Sequence, residues 1–217
     1  MNRTSLNPPW ACDRIADAAV PQVLEPRRPA RHGGGGQQAA GRPSGQAYQQ
    51  HHARGGSRPP VSRSKLDARI ALYGLQERPV RGDGNCQYRA LAAVLLGGEE
   101  RHREVRERVW EVLAANREAF EHHVVVGDGE EGGGGGGGWD SFLAAALSDG
   151  EWGDHLTLQA AADAFGCVVM LVTSFEDDAA GVVSISPMLG GAVVREAPAM
   201  LSFYAERHYN ALVPRTS

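Results

Sequence analysis

Residues 82–89 read Gly82-Asp83-Gly84-Asn85-Cys86-Gln87-Tyr88-Arg89, and the fold turns on what this stretch can be. Glycines on both sides of an aspartate make a turn that bulkier residues would resist. Behind the cysteine, Tyr88, Leu91, Ala92, Leu95 and Leu96 recur at helical spacing until Gly97-Gly98 stops them. Cys86 therefore falls at a helix N-terminus, where unpaired N–H groups and the positive end of the helix dipole favour a thiolate over a thiol. A small buried hydrophobe is the commoner role of a cysteine; after such a loop, a nucleophile is the sharper reading. Backbone N–H groups around Gly84, Asn85 and Cys86 would then form an oxyanion site, which explains a loop with so little side-chain bulk.

Upstream, Leu66, Ile70 and Tyr73 predict a short helix with Ser64 as N-cap and Gly74 as stop. Pro79 blocks helix and favours an extended lead-in through Val80. Residues 1–63 carry Pro8-Pro9, Pro29 and four glycines at 33–36, with too few apolar residues to bury anything, and read as a disordered arm. Nine arginines against Asp13, Asp17 and Glu25 make residues 1–64 basic, while residues 65–217 hold 13 basic and 23 acidic side chains. Arginines scattered among Pro, Gly and Gln fit solvated disorder better than a nucleic-acid surface, so nucleic acid is not the expected partner.

Downstream, residues 99–120 carry Val105, Val109, Val112, Leu113 and Phe120 on one side and charges on the other, a long amphipathic helix of structural type. Residues 127–138, ending in seven glycines, read as a disordered insertion that neither helix nor strand would accept. A short helix resumes over 139–147. Asp154 is the expected N-cap of a helix over 155–165, with Leu158, Ala161, Ala162 and Phe165 inward and Gly166 as stop. The apolar, β-branched run 167–173 reads as a buried central strand with 182–185 as its neighbour. Gly190-Gly191, residues 192–194 and Pro198 punctuate a loop with room for one more strand, and strands follow at 200–204 and 208–213. Alternation along the last puts His208, Asn210 and Leu212 on one face. Helices first and strands after make an α+β pattern, a mostly antiparallel sheet flanked by helices over residues 64–217.

A thiol with a free pKa of about 8.5 needs a base and something to orient that base. His208 is the candidate base, and Asn210, two residues on, can accept from one imidazole nitrogen and leave the other facing sulfur. Asp83 is a second polar anchor for either the loop or the ring. Cys12, Cys86 and Cys167 make an odd count without CxxC spacing, which argues against a disulfide framework and the usual zinc site. Cys167 reads as core. His51-His52 and His122-His123 lack a third ligand, and His155 reads as a surface or packing residue. Trp152 reads as a structural plug beside the helix of Cys86. No run of about 18 apolar residues is present to span a bilayer, and a soluble intracellular protein is expected.

Residues 83–91, Asp-Gly-Asn-Cys-Gln-Tyr-Arg-Ala-Leu, resemble the nucleophile motif of the ovarian tumour (OTU) family of cysteine proteases, which remove ubiquitin from proteins. Residues 151–162, Glu-Trp-Gly-Asp-His-Leu-Thr-Leu-Gln-Ala-Ala-Ala, resemble the middle block of its plant-type branch, and residues 205–210, Ala-Glu-Arg-His-Tyr-Asn, its histidine block. The resemblance implies a papain-like fold and a deubiquitinase with Cys86 as nucleophile, His208 as general base, Asp83 as catalytic aspartate and Asn210 as the residue orienting the histidine. It implies no cofactor and no metal, ubiquitin or polyubiquitin as partner, a monomer, and residence in the cytoplasm or nucleus. An acidic groove with a narrow entrance would suit the Arg-Gly-Gly end of ubiquitin. Tyr88 stands where the family generally has Phe, adding a hydroxyl that needs a partner. Asn210 stands where some members have Asp. A catalytically silent ubiquitin-binding module is the alternative of another class.

Overall fold

The computed structural model describes residues 60–124, 137–191 and 193–216. Its helices are α1 (Arg63–Leu72), α2 (Cys86–Leu95), α3 (His102–Ala115), the single turn α4 (Arg117–Phe120), α5 (Gly137–Leu147) and α6 (His155–Phe165). The strands are β1 (Leu75–Arg78), β2 (Cys167–Thr173), β3 (Val182–Ile185), β4 (Arg195–Tyr204) and β5 (His208–Pro214). They form one sheet in the order β1-β5-β4-β2-β3, antiparallel except for the parallel pair β2–β4.

Alternation along β5 assigns the two faces of this sheet. Tyr209 and Ala211 join the main core with Tyr88 and Leu91 of α2, Val105 and Val109 of α3, and Leu158 of α6. Leu212, one residue out of phase, joins Leu66 and Ile70 of α1 and Val172 of β2 in a second cluster on the other face. The helix carrying Cys86 thus packs on β4 and β5 from one side, while α1 covers the other.

The mostly antiparallel α+β architecture agrees with the sequence, and several boundaries differ for identifiable reasons. Helix α1 starts one residue before Ser64, and its N-cap is Ser62, whose hydroxyl accepts from Lys65 N–H. Val61 bridges to Phe175 and Glu176 N–H donates to Pro60, so residues 60–63 belong to the domain and not to the arm. The arm proper, residues 1–59, lies outside the described residues, as does 125–136 of the glycine-rich insertion. Its last two glycines open α5, because first-turn N–H groups need no helical partner and Trp139, 5% exposed, anchors the turn.

The long helix breaks at Asn116, whose side chain turns back to donate to Val112 O at 2.8 Å. Pro198 lies inside β4 and not in a loop. The β2–β4 register slips between Cys167↔Arg195 and Val169↔Ala199, and in that bulge a proline owes no ladder hydrogen bond. Strand β2 is interior, with β4 at the centre of the sheet. Helix α6 follows the prediction: Asp154 caps it, Thr157 completes a reciprocal capping box, and Gly166 ends it at φ +55°.

Candidate active site

The loop of residues 79–85 crosses the start of β5 and brings four predicted residues into one neighbourhood. Cys86 is the first residue of α2 and only 6% exposed. Together with His208 it lines a cleft of about 540 Å³. A Cβ on Gly82 would lie 3.6 Å from His208 Cε1 and 3.8 Å from Nδ1, so the Nδ1 edge of the ring is turned toward this loop.

The opposite edge is fixed by Asn210. His208 Nε2 lies 3.0 Å from Asn210 Oδ1, and the same oxygen accepts the Val80 N–H at 3.1 Å. An N–H can only donate, so Val80 settles which end of the carboxamide is oxygen. An oxygen facing Nε2 in turn requires the proton on Nε2. In the neutral ring Nδ1 then carries the lone pair.

Asp83 has other work. Its carboxylate takes Arg89 Nε at 3.0 and 3.1 Å and the Arg89 guanidinium NH2 at 2.5 Å. It also accepts the Asn85 N–H at 3.2 Å. Of the two anchors open in the sequence, these contacts belong to the loop. They also remove one expected oxyanion donor: the Asn85 N–H is held by Asp83, so Gly84 and Cys86 supply the remaining expected N–H groups.

The Arg89 guanidinium, with a smaller contribution from the Asn85 backbone, holds the Asp83 carboxyl well below the usual carboxylate range despite desolvation. A depressed folded value stabilises the fold above the unfolded value of about 3.9 and loses that contribution as pH falls toward the folded one. Asp83→Asn is therefore expected to cost about 1 kcal/mol at pH 7, the low end for a charged hydrogen bond because the side chain is one-third exposed. That difference from the parent shrinks below about pH 4. Urea unfolding of both proteins at pH 7 and pH 3 checks it, and an unchanged difference at the lower pH would contradict it.

Burial pushes the Cys86 thiol up from its ordinary value, and the Asp83 charge adds to this. Backbone groups of Tyr209, Gln87 and Cys86 itself pull it back only in part. Desolvation thus works against the thiolate that the helix N-terminus favours, which leaves the ionisation to a neighbouring base.

The middle sequence block explains itself in space. Gln87, buried one residue into α2, donates to Asp154 O at 3.0 Å and accepts from the Thr157 hydroxyl at 2.8 Å. That couples the start of α2 to the capping box of α6. Asn85 Oδ1 receives Gly150 N–H at 3.0 Å and the Arg106 guanidinium at 2.7 Å. Arg106 also donates to Ala146 O at 2.9 Å and Glu151 O at 2.7 Å, and lies 3.8 Å over the Tyr88 ring.

This arginine, 2% exposed, was missed in the sequence. The signal was present: His102, Arg106, Val109 and Leu113 share one helical face, but its charge suggested the solvent side. The Tyr88 hydroxyl makes no hydrogen bond of normal geometry. Thr157 is within its reach, but that hydroxyl already donates to Gln87 and Asp154 O, and the ring serves as a platform for Arg106.

Trp152 is corrected too. It is 63% exposed on the cleft wall, a surface aromatic and not a plug. His155 is half-buried on the same wall, and Cys167 is core as expected. The rim mixes signs, with Asp154 and Glu206 near Arg207, so the groove is not uniformly acidic.

A cysteine opening a helix, lining one cleft with a histidine that an asparagine two residues on holds from behind, both on an interior strand of a helix-flanked sheet, is the arrangement of the papain-like α+β fold. The family model for OTU-like cysteine protease matches residues 81–209, more than half of the chain, and the chain belongs to that family. Ovarian tumor domain-containing deubiquitinating enzyme 9 of Arabidopsis thaliana is 41% identical over 150 residues, 69% of this chain and 39% of the relative. Enzyme 11 of the same plant is 40% identical over 147 residues, 68% and 54% of the two. The chain thus spans about half or less of the length of these two curated relatives. The OTU domain of OTUD1 superposes with a TM-score of 0.54 at 25% identity, covering 69% of this chain and 93% of that domain. No helix among the described residues is long and apolar enough to cross a membrane.

Proposed function

We propose that residues 60–216 form a cysteine-type deubiquitinase that hydrolyses isopeptide or peptide bonds at the C-terminal glycine of ubiquitin. The observation that carries this reading is the pairing of Cys86 and His208 in one cleft, with the His208 tautomer set by Asn210 and Val80. Family membership and relatives named as deubiquitinating enzymes support the choice of substrate.

In the proposed reaction His208 Nδ1 takes the thiol proton as Cys86 Sγ bonds to the glycine carbonyl carbon. Nε2–H keeps its bond to Asn210 throughout. Backbone N–H groups of Gly84 and Cys86 receive the oxyanion. His208 then gives the proton to the departing lysine amine as the C–N bond breaks, leaving a thioester. Water, deprotonated by the same imidazole, attacks the thioester, and the proton returns to Cys86 as the S–C bond breaks. Asp83 shapes the loop and does not touch the ring. No cofactor enters, and the domain acts as a monomer in a reducing compartment, cytoplasm or nucleus, where Cys86 and Cys167 both stay unpaired.

Ubiquitin carrying an electrophilic C-terminus tests this directly. A one-to-one covalent adduct is expected with the parent protein and none with Cys86→Ala, read by intact mass. Reversible binding without an adduct would replace the enzyme by a silent ubiquitin-binding module, and no interaction would remove ubiquitin as substrate.

A further inference from the structure

Behind the His208–Asn210 pair runs a line of polar groups that the reaction above does not use. Strand β1 lies beside β5 with Glu77 opposite Leu212, and β4 lies on its other side with Ser202 opposite Asn210. Glu77, Ser202 and Asn210 therefore share the face covered by α1, and the Glu77 carboxylate lies among them. It accepts the Ser202 hydroxyl at 2.6 Å and Arg63 of α1 at 2.6 and 3.3 Å. The Asn210 side chain stands on the same face, opposite Ser202 and two residues before the Leu212 that Glu77 faces. Its oxygen is committed to Val80 and His208, so the amide has only its NH2 group to turn toward this carboxylate.

We propose that Glu77 is a positioning residue for His208, acting through the Asn210 carboxamide. It locks the amide so that Oδ1 faces Nε2, and it sets a negative charge behind the amide that favours the imidazolium formed during turnover. The inference rests on the cysteine-hydrolase reading of the cleft. It supplies what the sequence lacks: Asn210 is neutral where a carboxylate would steady the cation, and Glu77 restores that charge one side chain further back.

The carboxylate is poised for this role. Half-burial alone would raise its titration, yet the hydrogen bonds from Arg63 and Ser202 hold it below the usual range, so it stays ionised. Arg63 is in turn pushed further up by Glu77, with a second bond to Asp67. The other charged or titratable groups toward His208 are Cys86 from α2 and Tyr204 across β4, with Arg207 over its ring. Glu206, Asp154, His155 and His123 stand on the cleft walls, and Asp83 lies in the loop whose Gly82 faces the ring. All of these are unchanged in the two variants below, so differences report Glu77 and Arg63.

The test compares Glu77→Gln with Arg63→Met in the full chain, by pH profiles of kcat/KM on a fluorogenic C-terminal ubiquitin amide. Imidazole NMR titration of His208 is followed in a Cys86→Ala background. Removing the carboxylate is expected to move the His208 titration, and the limb of the profile it governs, about half a unit to lower pH. It is also expected to lower kcat about 10-fold with KM within twofold. Removing the neighbouring cation moves the same limb the opposite way. A purely structural loosening would not reverse sign between two variants that each lose the same salt bridge.

Shifts of equal direction, or none, overturn the proposal. Should Glu77→Gln fail to fold, Arg63→Met decides alone: an upward shift supports the proposal, and no shift or a downward one refutes it. The opposed NMR shifts support it whether or not the ubiquitin adduct forms, so this inference and the deubiquitinase reading fail separately.

Discussion

Cys86→Ala and His208→Gln are each expected to lower kcat/KM on a ubiquitin C-terminal amide by about 10⁴-fold or more, with both variants folded as judged by their thermal transitions. The size follows from the resting state of the cysteine. Burial pushes the thiol up from its ordinary value and so works against its ionisation, which makes generation of the nucleophile depend on the imidazole. Combining the two substitutions is expected to cost little more than either alone, because both remove one concerted unit. Asn210→Ala keeps both reacting groups and loses only their alignment. It is expected to cost about 10- to 100-fold, the worth of one buried hydrogen bond and of the correct tautomer. Asp83→Asn is expected to stay within about fivefold, since its contacts are with Arg89 and the Asn85 N–H. Steady-state kinetics on the four variants checks the order, and an Asp83→Asn defect larger than that of Asn210→Ala would reverse the assignment of the orienting residue.

That order marks where local sequence patterns stop being informative. Cys86 at a helix start and His208 and Asn210 on one strand face are consequences of periods of 3.6 and 2. Both were legible without tertiary knowledge. The capping box at Asp154 and Thr157 is likewise written within four residues. What those patterns do not hold is which polar side chains lose their water. Arg106 is buried because carbonyls of Ala146 and Glu151, 40 and 45 residues along the chain, turn toward it. Glu77 lies in a four-residue strand, Leu-Gln-Glu-Arg, that shows no alternation of its own and is a strand only because β5 pairs with it. Pro198 looked like a loop residue because a proline forfeits one ladder bond, and only the β2–β4 register reveals that none was owed there.

The same dependence on distant backbone makes Gly84 the most sensitive position in the loop. Its φ is +84°, in the left-handed region, and a Cβ there would stand 1.8 Å from Gly150 O and 2.7 Å from Gly150 C. Those are backbone atoms, and no rotamer can relieve the overlap. Alanine must push the Gly150 segment away, which strains the Gly150 N–H bond to Asn85 Oδ1 and the neighbouring bond from Arg106 to Glu151 O. Left-handed strain of about 1–2 kcal/mol plus the weakening of two buried hydrogen bonds at about 1 kcal/mol each gives a loss of about 3–4 kcal/mol. Turnover is expected to fall further than stability implies, by about 10²- to 10³-fold at temperatures where the variant is still folded. The overlap also strains Gly84 and Asn85, which immediately precede Cys86 and aim the oxyanion donors, and shifts of about 1 Å there cost that much. Gly74→Ala is the matched control, with φ +65° but nothing within 4 Å of its Cβ. It carries the backbone strain alone and is expected to lose about 1–2 kcal/mol with kcat/KM unchanged. Denaturant unfolding and kinetics on the two alanine variants separate strain from the close approach. Equal losses in both would mean that the Gly84–Gly150 contact contributes nothing to holding the loop.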